Sequence, residues 1–274
     1  MNKQTDTAVL NGIAKELRKS IISMLGESGS GHPGGSLSLA EIMSVLYFRE
    51  MNIDPAQPQM PDRDRLVLCK GHAAPVLYAA LAERGFFPRE KLMTLRKIGS
   101  SLQGHPDMHK TPGVDMSTGS LGQGLSAACG MALAGRLDGL AHNVFAILGD
   151  GETQEGQVWE AAMFAAHYRL DKLIAFLDHN KLQIDGNISE VLSPEPLDEK
   201  WRAFGWQVQV VDGHDVAALI TAVAAARAEK SRPSLIIAET VKGKGVSFME
   251  NQAGWHGNAP NAAQTGQALA ELSL

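Results

Sequence analysis

Residues 144–186 leave this chain few choices of fold. An apolar run, Val144 to Leu148, stops at Gly149-Asp150-Gly151. Helical periodicity follows from Gln157 to Tyr168, and a second apolar run, Leu173 to Leu177, delivers Asp178-His179-Asn180. Strand, helix and strand within about forty residues form a βαβ unit, and its crossover makes the two strands parallel. Asp150 and Asn180 then both stand at carboxyl ends of strands, where open α/β sheets place ligands. A carboxylate oxygen and an amide oxygen brought together there suit Mg²⁺ better than a soft metal. Gly149 and Gly151 let a diphosphate approach the backbone at the start of the next helix, whose dipole and free N–H groups favour an anion. The stretch reads as a site for a magnesium-bound diphosphate.

Gly-Asp-Gly alone is an ordinary tight turn. The weight comes from two strand ends, each finishing in an oxygen ligand and joined by one helix. The rest of the 274 residues extends the same pattern. Apolar groups recur at helical spacing over residues 8–25, before the glycine-rich loop from Glu27 to Gly35. Ser36 or Ser38 is placed to cap a second helix reaching Tyr47, with Glu41 near its start. Pro55, Pro58 and Pro61 mark a surface connection, Arg65 to Cys69 reads as a strand, and Gly71-His72 opens a helix reaching Arg84. Residues 98–120 form a long irregular segment, of a length more often functional than idle. Leu121 to Leu137 is small-residue-rich and helical. Beyond the central unit come a strand (Trp206 to Val211), a helix (Val216 to Glu229), a strand (Leu235 to Glu239), a glycine loop with Lys242 and Lys244, and a final helix capped by Asn261. No repeat, low-complexity segment or linker interrupts the alternation. The expectation is one three-layer α/β domain over 1–274 with a mostly parallel sheet.

Bulk properties exclude several function classes. A formal net charge of −5 with no Lys/Arg run argues against a nucleic-acid partner. No apolar stretch is long enough to span a bilayer, and the amino-terminal residues lack the apolar core of a signal peptide. Cys69 and Cys129, far apart in apolar surroundings, read as buried reduced thiols. A cytoplasmic, soluble chain is expected.

Four of the nine histidines, His32, His72, His105 and His256, lie beside glycine in loops or at helix starts. A single such histidine ordinarily serves only to hold a turn. Four in segments that all interrupt elements of one α/β domain are placed to converge at one sheet edge. Neutral imidazoles gathered there bind hydroxyls and shuttle protons near pH 7, which suits a sugar-like substrate. His142, His167, His179 and His214 lack that setting and read as structural or exposed; His109 follows the His105 loop and fits either role.

The wording GDGETQEG…DHNKLQIDG resembles transketolase, a thiamine diphosphate enzyme family. SGSGHPGGSLS, CKGHAAPVLYAAL, LQGHPDM, STGSLGQGLS and WHGNAP resemble that family's cofactor-domain segments, in the family's order, over roughly residues 10–260. The resemblance implies Mg²⁺ held by Asp150, Asn180 and the Leu182 carbonyl, with Gly149 and Gly151 giving access to the diphosphate of thiamine diphosphate. It implies His72 at the cofactor's phosphate end, Gly119 lining the cofactor, and Leu121 with Ile184 sandwiching its thiazolium ring. His32, His105 and His256 would meet the oxygens of a sugar or sugar phosphate. Glu155 would join a network between paired active sites, although a helix-start carboxylate favoured by the dipole explains it equally well. Asp185 reads as a turn residue, and Lys242 and Lys244 as a solvated loop. The implied reaction transfers a two-carbon ketol unit from a ketose to an aldose.

Transketolases continue into a pyrimidine-binding domain that supplies the activating glutamate, then into a third domain. Neither is expected in this chain. The resemblance is thus to the N-terminal subunit of a split transketolase, working in an α2β2 hetero-oligomer with a C-terminal partner subunit. Three rival readings are the alpha subunit of a 2-oxo acid dehydrogenase, a deoxyxylulose-phosphate synthase relative, and a non-catalytic binding subunit. The histidine-rich GHPGG and GHPDM loops disfavour the first, the STGSLGQG wording the second, and the complete set of Asp150, Asn180 and loop histidines the third.

Overall fold

The structure, a computed structural model, describes residues 5–274. The amino-terminal stripe becomes α1 (Thr7–Ser28), opened by the Asp6 carboxylate accepting from the Ala8 amide and closed by Gly29 in the left-handed region. α2 (Gly34–Leu37) and α3 (Ala40–Val45) follow, and the chain leaves through a wider π-type turn at Leu46–Glu50. The expected caps at Ser36 and Ser38 do not form. Pro33, which has no N–H to leave unsatisfied, starts α2 instead. Ser36 donates to the His32 carbonyl, and Ser38 to the buried Asp178 carboxylate at 2.6 Å, a charge-assisted bond stronger than a cap.

In order there follow β1 (Arg65–Leu68), α4 (Ala74–Arg84), α5 (Gln123–Leu137), β2 (Val144–Gly149), α6 (Gly156–His167) and β3 (Leu173–His179). Next come the small hairpin β4 (Leu182–Gln183) and β5 (Gly186–Asn187), α7 (Ile188–Val191), α8 (Leu197–Ala203), β6 (Gln207–Asp212), α9 (Val216–Ala228), β7 (Ser234–Glu239) and α10 (Ala262–Glu271). α5 begins two residues later than its apolar pattern suggests, because Gly122 takes a left-handed conformation ahead of it. Residues 98–120 contain neither helix nor strand, as read. Asn261 caps α10 in a reciprocal box with Gln264.

Five strands pair in the order β1-β2-β3-β7-β6, every pair parallel. Side chains alternate between two cores. Phe145, Ile147, Ile174, Phe176 and Ile236 pack with α1, α3, α4 and α9, while Val144, Ala146, Leu148, Leu173, Ala175 and Leu235 pack with α5, α6 and α8. Helices thus cover both faces, which makes three layers, and strands buried on both faces read as unbroken apolar runs. α6 carries the chain from β2 to β3 on one face; α9 carries it back from β6 to β7 on the other. The winding therefore reverses between β3 and β7, the place in such sheets where ligands bind. Among the described residues no helix is long and apolar enough to cross a membrane.

Candidate active site

A cavity of about 380 Å³ opens at the carboxyl ends of the central strands, next to that reversal. Every expected site residue lines it. The strand ends bring Gly149, Asp150, Gly151, Asn180 and Leu182; the loops bring His32, His72, His105, Gly119, Leu121 and His256; the start of α6 and the hairpin bring Glu155 and Ile184. These residues span more than two hundred positions of sequence and meet because parallel strands deliver all their carboxyl ends to one edge.

Asp150 is buried, with Oδ1 accepting from the Gly151 amide (2.7 Å) and Oδ2 from the Lys181 amide (2.5 Å). Burial, reinforced by the neighbouring Asp178 charge, pushes its pKa up to about 6. A carboxylate so perturbed is short of positive charge. Asn180 Nδ2 donates to Asp178, which leaves its Oδ1 to accept from the Leu182 amide at 3.1 Å. The Leu182 carbonyl accepts from Lys242 Nζ at 2.8 Å and keeps a second lone pair. Among the described residues no group of three or more His, Cys, Asp or Glu forms a protein-only metal cage. The donors present are hard oxygens, too few to encircle a cation, and they fit Mg²⁺ completed by ligand oxygens.

The rings of His32, His72 and His256 form a triangle with centroids 5.0–5.6 Å apart. Burial, followed by nearby cations, lowers their pKa values to about 4, 2 and 3 respectively. All three are neutral near pH 7, so each offers one donor and one acceptor. His32 Nδ1 is buried with no hydrogen-bond partner among the described residues, a rare condition for a buried polar atom. His105 stands slightly apart, its ring against Gly119, where an added Cβ would meet it at 3.0 Å. Its pKa is also lowered by burial and by Arg96.

Lys242 corrects its sequence reading. It is 2% exposed, and its Nζ also contacts His256 Nδ1 at 2.8 Å. Burial, then the Lys70 charge, brings its pKa down to about 8. The glycines of KGKG turn the chain inward rather than spreading it into solvent: Gly243 takes a positive φ, and its amide bonds the Gly34 carbonyl. Lys244 does lie outside, 3.6 Å from Glu250. Asp185 sits at the hairpin turn and also edges the cavity. Glu155 is exposed at the start of α6 and makes no capping bond. Leu121 and Ile184 are 37% and 67% exposed on the cavity rim.

The remaining histidines hold structure. His179 sits 2.6 Å from Glu239 and 2.9 Å from Glu195, His214 bonds Glu41, His142 packs beside Gly135, and His167 meets the Tyr168 ring. His109 lies on the surface, outside the cavity lining. Both cysteines are buried and free.

Sequence reasoning missed Glu152, Lys70 and Asp178. Glu152 accepts from the Gly122 and Gly149 amides, each at 3.0 Å, and so ties the loop after residue 118 to the end of β2. Burial raises its pKa to about 7. Its place directly after Gly-Asp-Gly was the available signal. The buried Lys70–Asp178 pair had none, since its members lie 108 residues apart.

The thiamine diphosphate binding domain of transketolase matches residues 10–273. The chain belongs to the transketolase family. It is 52% identical over 259 residues to the 6-deoxy-6-sulfo-D-fructose transketolase subunit SqwG of Clostridium sp. (strain MSTE9), covering 94% of each chain. It is 41% identical to a subunit of the apulose-4-phosphate transketolase of Phocaeicola vulgatus, covering 93% of this chain and 91% of that one. The crystal structure of Campylobacter jejuni transketolase superposes with a TM-score of 0.93 at 31% identity, covering 98% of this chain but 43% of that one. The chain thus spans nearly all of two relatives named as subunits and under half of the Campylobacter jejuni transketolase chain.

Proposed function

We propose that this chain is the cofactor-anchoring subunit of a two-chain transketolase, which with its partner moves a two-carbon ketol unit from a ketose to an aldose. The observation that carries the reading is one cavity joining a hard-oxygen corner to a triangle of neutral imidazoles. Subunit-length relatives support a second polypeptide.

Asp150, Asn180 and the Leu182 carbonyl would hold Mg²⁺, and the Gly149–Gly151 backbone with His72 would face a diphosphate. Bound thiamine diphosphate supplies the stabilisation of a carbanion when a ketose carbon–carbon bond breaks. Leu121, Gly119 and Ile184 wall that part of the cavity, and on assembly they exclude water and lower the local dielectric. His32, His105 and His256 are neutral and so can donate to a carbonyl and accept from a hydroxyl without a competing charge, which orients the sugar and moves its protons. Lys242 keeps His256 in place through Nδ1 and adds positive charge beside the diphosphate position. Glu155, exposed at the cavity rim, would be within reach of a neighbouring copy in an α2β2 assembly.

The SqwG relative, named for a sulfonated ketose, has higher identity than the apulose relative, which favours a 6-deoxy-6-sulfo ketose as donor. The test combines the chain with the polypeptide of its neighbouring gene, thiamine diphosphate and Mg²⁺. Ketol transfer is then measured from the sulfo-ketose and from fructose 6-phosphate. Full turnover by the single chain would refute the two-chain reading. A strong preference for the phosphorylated donor would refute the substrate assignment.

A further inference from the structure

Asp178 is the last but one residue of β3, wholly buried, and belongs neither to the oxygen donors nor to the histidines. Its Oδ2 accepts from Ser38 Oγ (2.6 Å), from Asn180 Nδ2 (3.1 Å) and from the Lys70 ammonium, while Oδ1 accepts from the Thr240 hydroxyl. Four side-chain donors occupy a carboxylate that offers about four lone-pair directions. The Lys70 ammonium pairs with it and all four partners donate, an arrangement that suits a carboxylate acting only as acceptor.

We propose that Asp178 is a positioning residue that presets the Asn180 amide for the cation. A carboxylate only accepts, so the nitrogen of the Asn180 amide must face it. The reverse flip would set an amide oxygen against an anionic oxygen where both residues are buried. The Asn180 oxygen is therefore turned away from Asp178, toward the Leu182 amide and the cavity, before any ligand arrives. Pre-orientation of a metal ligand by such a partner is worth a large factor in affinity. The other donors give Asp178 a wider reach. Ser38 follows α2 and the His32 loop, Lys70 precedes His72, and Thr240 leads to Lys242, so one carboxylate fastens three of the segments that line the cavity. Lys70 adds a bond to the Gly35 carbonyl at 3.2 Å and draws the same loop inward. The buried pair thus serves placement, because for stability alone a well-packed apolar replacement does as well as a buried ion pair.

The inference rests on the proposed Mg²⁺ site, and the experiment separates the two. Mg²⁺ is titrated calorimetrically into the full chain with excess thiamine diphosphate, for the native sequence and for Asp178→Asn. Thermal melts of the ligand-free proteins run alongside. The variant removes the negative charge that the Lys70 ammonium and the Asn180 nitrogen face and turns one of the two acceptor atoms into a donor, and it is expected to weaken Mg²⁺ affinity by about 10–100-fold. Ser38→Ala and Thr240→Val each remove a donor while keeping the Asp178–Asn180 bond. They are expected to lower the melting temperature and leave Mg²⁺ affinity near native. Native chain that shows no Mg²⁺-dependent uptake overturns the site itself. Native uptake with equal affinity in Asp178→Asn overturns only the role of Asp178, as does a loss in all three variants that merely follows their melting temperatures. Should Asp178→Asn fail to fold, NMR of the asparagine-labelled native chain decides. One Asn180 carboxamide must show slow-exchanging protons without ligand, and free exchange refutes the inference.

Discussion

Glu41 offers the sharpest test of how the scaffold supports the site. Its carboxylate takes both guanidinium nitrogens of Arg18 at 2.6 Å and His214 Nδ1 at 2.9 Å, with only 7% of the side chain exposed. His214 Nε2 in turn accepts from the Val241 amide at 2.9 Å, one residue before Lys242. Burial alone would raise the Glu41 pKa, but His214 and Arg18 outweigh it and bring it down to about 2. Measured from its ordinary value of 4.5, that depression corresponds to about 3 kcal/mol of pH-dependent stability. Because the folded pKa is the lower one, this contribution is complete above pH 4.5 and is lost as pH falls toward 2. Glu41→Ala leaves the Arg18 guanidinium buried and unpaired, which costs about 3–5 kcal/mol. A chain of this size loses about 2–4 °C per kcal/mol, so the melting temperature should fall by roughly 10 °C. Paired replacement, Arg18→Met with Glu41→Leu, removes both charges and should recover most of the loss. Calorimetric melts at pH 7 of the native chain, the single and the double variant measure this. A single variant melting within about 2 °C of native, or a double variant no better than the single, would refute the network's role.

Four further outcomes are expected. Asp150→Ala should abolish Mg²⁺-dependent binding of thiamine diphosphate in calorimetry, and unchanged affinity would move the metal elsewhere. His105→Ala should slow ketol transfer by about 10–100-fold in the reconstituted enzyme while cofactor affinity stays near native; a pure loss of affinity contradicts a sugar-facing role. Gly71→Ala puts a Cβ 2.7 Å from the Thr118 backbone and should cost about 1–3 kcal/mol in denaturant melts, because backbone cannot swing aside. The triangle of imidazoles stays neutral in the folded chain while unfolded histidines protonate below pH 6.5. Its stabilising contribution is therefore full above that pH and declines as pH falls toward the folded values of about 2 to 4. Urea midpoints should drop between pH 7 and 5 and drop less in His72→Asn; equal sensitivity in the two proteins would sink the argument.

The sequence alone determined the parallel βαβ framework, the two strand-end oxygens and the convergence of four glycine-flanked histidines. Those features are written in local terms: strand and helix periods, turn glycines, and the rule that parallel strands share one carboxyl edge. Glu152 was within reach of the same reasoning, as a carboxylate directly after Gly-Asp-Gly. Tertiary structure decided what each polar side chain would face. Ser38 looked like a helix cap and became a donor to Asp178; Lys242 looked like a solvated loop residue and became a buried cation between Leu182 and His256. Asp178 itself carried no signal, because its partners Ser38, Lys70 and Thr240 come from three distant segments. A hydrogen bond depends on which groups the packed strands bring within 3 Å, and no period in the chain encodes that meeting.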